Sequence, residues 1–121
     1  MISQTLLSNV VQGAASGNYN GTTVPFYSNA VMGDVYRGDK HGVHTFAYFA
    51  TSTFSGSIAI QASLVAEPTS SDWVTLSSTR ITITPGSSVT ETRTYTGNVL
   101  WIRAVVETFT AGTIIKVQYS N

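Results

Sequence analysis

His41 and His44 stand three residues apart with Asp34 and Asp39 just before them, the one grouping in the chain whose side-chain types suit metal ligation or acid-base chemistry. A metal site needs three or four convergent ligands. On an extended strand, residues three apart point to opposite faces, so this spacing predicts a polar turn leading into a strand. Glu67, Asp72, Glu91 and Glu107 fall in separate strands and turns, which leaves no close carboxylate pair for glycosidic chemistry. Serine and threonine abound, yet none sits in a nucleophile elbow with a matching histidine and aspartate. Arg37-Gly38-Asp39 spells an adhesion tripeptide and Asn20-Gly21-Thr22 a glycosylation sequon, and both read better as turns. The expectation is a protein that is not an enzyme, with no catalytic residue, no cofactor and no metal.

A different kind of chemistry is suggested by Trp101-Ile102-Arg103-Ala104-Val105-Val106-Glu107. If Leu100, Ile102, Ala104 and Val106 face a core, then Trp101, Arg103, Val105, Glu107 and Phe109 line the opposite face, too apolar and aromatic for idle surface. Trp and Arg are favoured interface anchors. The same alternation also suits a strand buried on both sides within one fold, and in either case Arg103 and Glu107 each require a cross-strand partner. Tyr19, Tyr27, Tyr36 and Trp73 offer an alternative chemistry, a stacking platform for sugar rings, although aromatic residues in strands are mostly core.

The elements that must position these residues are strands. In Phe54 to Leu64, residues Phe54, Gly56, Ile58, Ile60, Ala62 and Leu64 share one parity, and Ser55, Ser57, Ala59, Gln61 and Ser63 share the other. That is the period of a pleated strand with one core face and one small polar face. The polar face, Ser57 and Gln61 in particular, is flat enough for close approach by another segment. Val43 to Ala50 is apolar on both parities and reads as a central strand. Trp73 to Leu76 and Thr79 to Thr84 read as two short strands, Val89 to Thr96 as a charged edge strand, and Val99 to Thr108 and Thr113 to Tyr119 as the last pair. Val31 to Asp39 holds a possible short strand and turn, and Pro85-Gly86 and Gly97-Asn98 are turn signals. Seven or eight strands, roughly, at this spacing predict an all-β, antiparallel two-sheet sandwich, jelly-roll-like. A closed barrel has the same pattern.

Residues 1–30 read as an extended N-terminal arm before a domain at 31–121. Leu6, Leu7, Val10 and Val11 form a short apolar patch, followed by the small, turn-favouring run from Gly13 to Thr22. Such a segment offsets its own conformational entropy only by lying on something, either its own sheet or a neighbouring molecule.

Composition bounds the partners. The formal net charge is zero, 10% of residues are charged and cysteine is absent, while Ser and Thr make up roughly a quarter of the chain. Scattered basic residues do not form a nucleic-acid surface. Without cysteine there is no disulfide or thiol chemistry. The start lacks the basic segment and apolar run of a signal peptide, and no stretch approaches a membrane span. A surface rich in hydroxyls costs less to desolvate than a charged one, which suits packing against other molecules.

Two blocks carry a resemblance: residues 54–64 followed by Pro68 and Asp72-Trp73, and residues 96–119 from Thr96-Gly97-Asn98 to Gln118-Tyr119, with Gly42-Val43-His44-Thr45 as a shorter third. Together they resemble a family of small virion structural proteins of tailed phages, particularly those infecting cyanobacteria, over about residues 36–119. The resemblance implies a jelly-roll-like sandwich that packs on other virion proteins, assembled in the host cytoplasm. For a single domain with an arm it favours a capsid cement or decoration protein that bridges subunits of the major capsid protein. A neck, tail or fibre module that binds a glycan or receptor is the alternative. The residues expected to make contacts are Leu6, Leu7, Val10 and Val11 of the arm, Ser57 and Gln61, and Trp101, Arg103 and Glu107, the last group in a homo-oligomer, dimer or trimer.

Overall fold

The computed structural model describes residues 3–33, 42–86 and 88–120. Every named element among them is a strand: β1 (Ser3–Val11), β2 (Phe26–Tyr27), β3 (Val31–Met32), β4 (Val43–Ala50), β5 (Ser55–Ser63), β6 (Val74–Ile83), β7 (Val89–Thr96), β8 (Trp101–Ala111) and β9 (Thr113–Ser120). They form two sheets, one ordered β1-β9-β4-β7 and the other β2-β8-β5-β6, with β3 also on β8. All pairings are antiparallel. The pairing is nested: β1 with β9, β2 and β3 with β8, β4 with β7, β5 with β6. This is one long antiparallel ribbon rolled until β4 meets β9 and β5 meets β8, the topology of a jelly roll.

Period-2 alternation decides which side chains enter the space between the sheets. His44, Phe46, Tyr48 and Ala50 of β4 and Ile58, Ile60 and Ala62 of β5 point inward and are buried, as are Ile102, Ala104 and Val106 of β8 and Ile114, Val117 and Tyr119 of β9. Two aromatic clusters close the ends of this core. Phe46 stacks on Tyr119 at 5.2 Å, with His44 beside it, and Tyr19 lies 4.5 Å from Phe26 and 5.5 Å from Phe109.

The first segment lies on its own domain. β1 is the outer strand of its sheet, paired with β9, and its register shifts between Thr5 and Leu7. That bulge turns the consecutive residues Leu6 and Leu7 both inward, where they join Val10 in the core. Residues 12–25 then cross to the other sheet and insert Tyr19, whose hydroxyl donates to the Gly21 carbonyl at 2.9 Å. Of the four apolar residues expected to grip a neighbouring molecule, Leu6, Leu7 and Val10 are thus spent inside this chain and Val11 alone is exposed.

Three further expectations change. Residues 74–83 are one strand, broken internally, rather than two. Phe109 is in the core, because the register between β5 and β8 shifts at Ser57/Ile58 and Glu107 becomes an extra residue opposite them. Leu64, expected on the core face of the strand, lies past its end and is 70% exposed.

Candidate functional site

β8 carries Trp101, Arg103, Val105 and Glu107 on the outer face of the second sheet, and β5 carries Ser57, Ala59, Gln61 and Ser63 beside them. The register sets Gln61 opposite Arg103 and Ala59 opposite Val105 on one side, and Tyr27 of β2 opposite Val105 on the other. Five of the residues expected at an interface, Ser57, Gln61, Trp101, Arg103 and Glu107, therefore share one surface. Leu6, Leu7 and Val10 do not belong to it.

Arg103 is the centre of this surface. Its guanidinium carbon sits 3.9 Å from the centroid of the Tyr27 ring and 4.2 Å from that of Trp73, so the cation fills the space between two aromatic faces. Arg103 Nε donates to Gln61 Oε1 at 2.8 Å, and Gln61 Nε2 donates in turn to Thr75 Oγ1 at 3.2 Å. Partial burial lowers the Arg103 pKa from its ordinary value by desolvation, with Tyr27 acting in the opposite sense. Even so, a guanidinium stays charged at any physiological pH. Tyr27 and Trp73, the candidates for an alternative sugar platform, are here the two jaws of an arginine clamp. Tyr19 is in the core, and Tyr36 lies outside the described residues.

Glu107 is fixed as firmly, at the other end of the patch. Arg80 donates to it through Nε at 2.6 Å and Nη2 at 2.9 Å, and Ser57 Oγ donates at 3.1 Å. The Arg80 hydrogen bond is the main reason that the Glu107 carboxyl lies below the usual carboxylate range. Arg80 reaches it because β6 is interrupted: Ile58 pairs with Ile81 and Ile60 with Leu76, so Ser77, Ser78, Thr79 and Arg80 loop out opposite the single residue Ala59. Thr79 closes the gap in the ladder. Its Oγ1 accepts from Ile60 N at 3.0 Å and donates to the Leu76 carbonyl at 2.6 Å, and its own carbonyl accepts from Tyr48 OH at 2.8 Å across the core. Burial pushes the Tyr48 phenol well above its ordinary value.

Val105 and Ala59 lie between the Arg103 clamp and the Arg80–Glu107 pair and are buried although they face outward. The side chains around them supply that cover, so the face is braced by its own network. Trp101 borders the clamp; its Nε1 donates to the Ala66 carbonyl at 2.9 Å and ties the turn after β5 to β8. Alternation alone could have flagged Arg103, Glu107 and Gln61, but Arg80 and Thr79 act through an irregular loop that no period reveals.

Among the four residues first considered for metal chemistry, Asp34, Asp39 and His41 lie outside the described residues. His44 is fully buried in the fold. Its Nδ1 bonds to Tyr119 OH at 2.5 Å and its Nε2 to the Gly97 carbonyl at 3.0 Å. A carbonyl can only accept, so Nε2 is the donor to Gly97. A shallow depression of about 280 Å³ lies beyond Tyr27, lined by Asn18, Asn20, Thr23, Pro25, Phe26 and Tyr27. Asn20 is occupied there in capping its own turn, accepting from the Thr22 and Thr23 amides. Compared with known proteins, the chain matches no family model and no curated sequence.

Proposed function

We propose that this chain is a structural protein of a tailed-phage virion, a cement or decoration protein that bridges subunits of the major capsid protein. The observation that carries this reading is the outer face of the second sheet. Two ion-pair and stacking clusters hold its long side chains in place, so little side-chain entropy is left to lose when a partner packs on it. The resemblance of residues 36–119 to small virion proteins supplies the identity of the partner, and the jelly-roll topology agrees with that resemblance.

The mechanism is mechanical. A head shell must resist the pressure of packaged DNA, and a small rigid sandwich set across a junction adds contact area without altering the lattice. Many modest contacts then act together. A glycan-binding role at the neck, tail or fibre is less well supported, because the facing surfaces of Tyr27 and Trp73 are already occupied by Arg103.

The experiment is rebinding of the purified chain to stripped capsids, with localisation by electron microscopy. Saturable binding at capsid junctions is expected, and its loss on substituting Trp101 with Ala would place the contact on this face. Density at the tail only, or binding on a glycan array without capsid binding, would overturn the reading.

A further inference from the structure

Half of the described charges are in ion pairs within the chain and the rest have other partners or none. Arg80 pairs with Glu107 and Arg93 with Glu91, Asp72 accepts from the Thr69 amide and hydroxyl, and the Lys116 amine lies over the Phe49 ring. Four charges among the described residues thus have no opposite charge beside them, Asp72, Lys116, Arg103 and Glu67, and the last two share one corner of the fold. Arg103 has aromatic faces and a glutamine, but no carboxylate. Glu67 is exposed and makes no ion pair or side-chain hydrogen bond.

These two lie at the same corner. Trp101 stands two residues before Arg103 on the same face, and its indole nitrogen holds the carbonyl of Ala66, the residue next to Glu67. Apolar surface gathers there as well. Met32 pairs with Trp101 on the outer face, Ser63 pairs with Trp101, and Val74 pairs with the core residue Ala62, so Met32, Leu64 and Val65 lie around the Trp101 corner and Val74 is at the same end of the sheet but on its inner face. They are half of the large exposed hydrophobic residues among those described, with Leu64 at 70% and Val74 at 65% exposure. Nε of Arg103 is taken by Gln61, and the terminal nitrogens, for which no described residue supplies an acceptor, present a planar fork suited to a carboxylate.

We infer that a second copy of this chain docks on this corner in a two-fold dimer, with Arg103 of each copy receiving Glu67 of the other. Under a two-fold rotation a patch that holds a cation and an anion, each without an opposite charge beside it, together with apolar surface, sets each charge against its opposite on the other copy. The clamp by Tyr27 and Trp73 holds the guanidinium ready for that contact. The inference rests on the reading of this face as an interface, and not on which particle the protein belongs to.

The test is sedimentation equilibrium of the full chain across the micromolar range, for wild type, Arg103→Glu, Glu67→Arg and the double variant. Wild type is expected to dimerise, each single variant to weaken the dimer by about tenfold or more, and the double variant to recover most of the loss by restoring opposite charges. A monomeric wild type, single variants that dimerise as well as wild type, or a double variant no better than the singles would each overturn the inference. Should Arg103→Glu fail to fold by circular dichroism, Glu67→Arg decides, since Glu67 has no side-chain partner among the described residues; an unchanged dimer then refutes the pairing. A monomer that still binds stripped capsids would leave the proposed function standing, and a dimer that does not bind them would leave this inference standing.

Discussion

Replacing Thr79 with Val tests how the break in β6 is held and, through it, how Arg80 is aimed. Valine has nearly the same shape, so the change removes a hydroxyl without opening a cavity. In the folded protein that hydroxyl is the acceptor for the buried Ile60 amide and the donor to the Leu76 carbonyl, and Thr79 is fully buried. Both backbone groups lose their partner where water has no ready access. Leaving a buried polar group unsatisfied costs about 1–3 kcal/mol, so two such groups predict a loss of about 2–5 kcal/mol. For a chain of this length, with an unfolding entropy near 2 cal/mol/K per residue, that is a fall in Tm of roughly 8–20 °C. Urea unfolding followed by circular dichroism measures it, with Thr79→Ser as the control that keeps the hydroxyl and should lose far less. Equal losses for Val and Ser, or a loss below about 0.5 kcal/mol for Val, would refute the hydroxyl's role as a substitute rung of the ladder.

Other outcomes follow from single contacts. The folded-state pKa of Glu107 is depressed, so its stabilising effect is present above the unfolded carboxylate value and is lost as pH falls through the folded one. Since the pair is about one-third exposed, the effect is of order 0.5–1 kcal/mol; Glu107→Gln should flatten the decline in stability between about pH 5 and pH 2, read by urea unfolding at each pH. Gly56→Ala drives a Cβ into the Thr108 carbonyl oxygen, a backbone atom that cannot swing aside, and should cost at least about 1–3 kcal/mol by thermal unfolding. Tyr19→Ala removes the ring that packs on Phe26 and Phe109 and should cost about 3–5 kcal/mol, whereas an arm lying outside the core would lose almost nothing. Removing residues 1–11 takes Leu6, Leu7 and Val10 from the core and bares the edge of β9, so the truncated chain should unfold or aggregate during purification.

Regular alternation made the sandwich legible from the residues alone, and it located β4, β5, β8 and β9 because both parities of these strands carry information. It failed wherever the ladder is irregular. The shift at Thr5/Leu7 folds both leucines of the first segment inward, so an apolar patch that looked available to a neighbour is core. The extra residue at Glu107 carries Phe109 to the opposite face, and the four-residue loop in β6 brings Arg80 to Glu107 from a distance that pairing rules do not foresee. A bulge leaves no compositional mark comparable to a period, since its energetic support comes from one well-placed group such as the Thr79 hydroxyl.

The polar parity of β5 shows how the site departs from the simplest reading of its residues. Ser57 and Gln61 look like a flat, solvated strip on which another molecule could lie. In the fold Ser57 is buried and donates to Glu107, and Gln61 anchors Arg103. A bulky charge at either position would therefore disturb this chain's own network before it met any partner. The contact surface is set one layer higher, by the side chains that these residues hold in place: the Arg103 clamp, Trp101 and the turn it ties down. Gln61→Leu separates the two roles. It keeps the strand apolar enough to pair while removing the acceptor for Arg103 Nε, so the guanidinium should lose its fixed orientation between Tyr27 and Trp73. Unfolding free energy should fall by about 1 kcal/mol or less, because rearranged solvent can replace part of that bond, while assembly on this face should weaken by a larger factor. If stability and assembly changed in proportion, or assembly did not change, the clamp would be only a means of covering Val105 and Ala59.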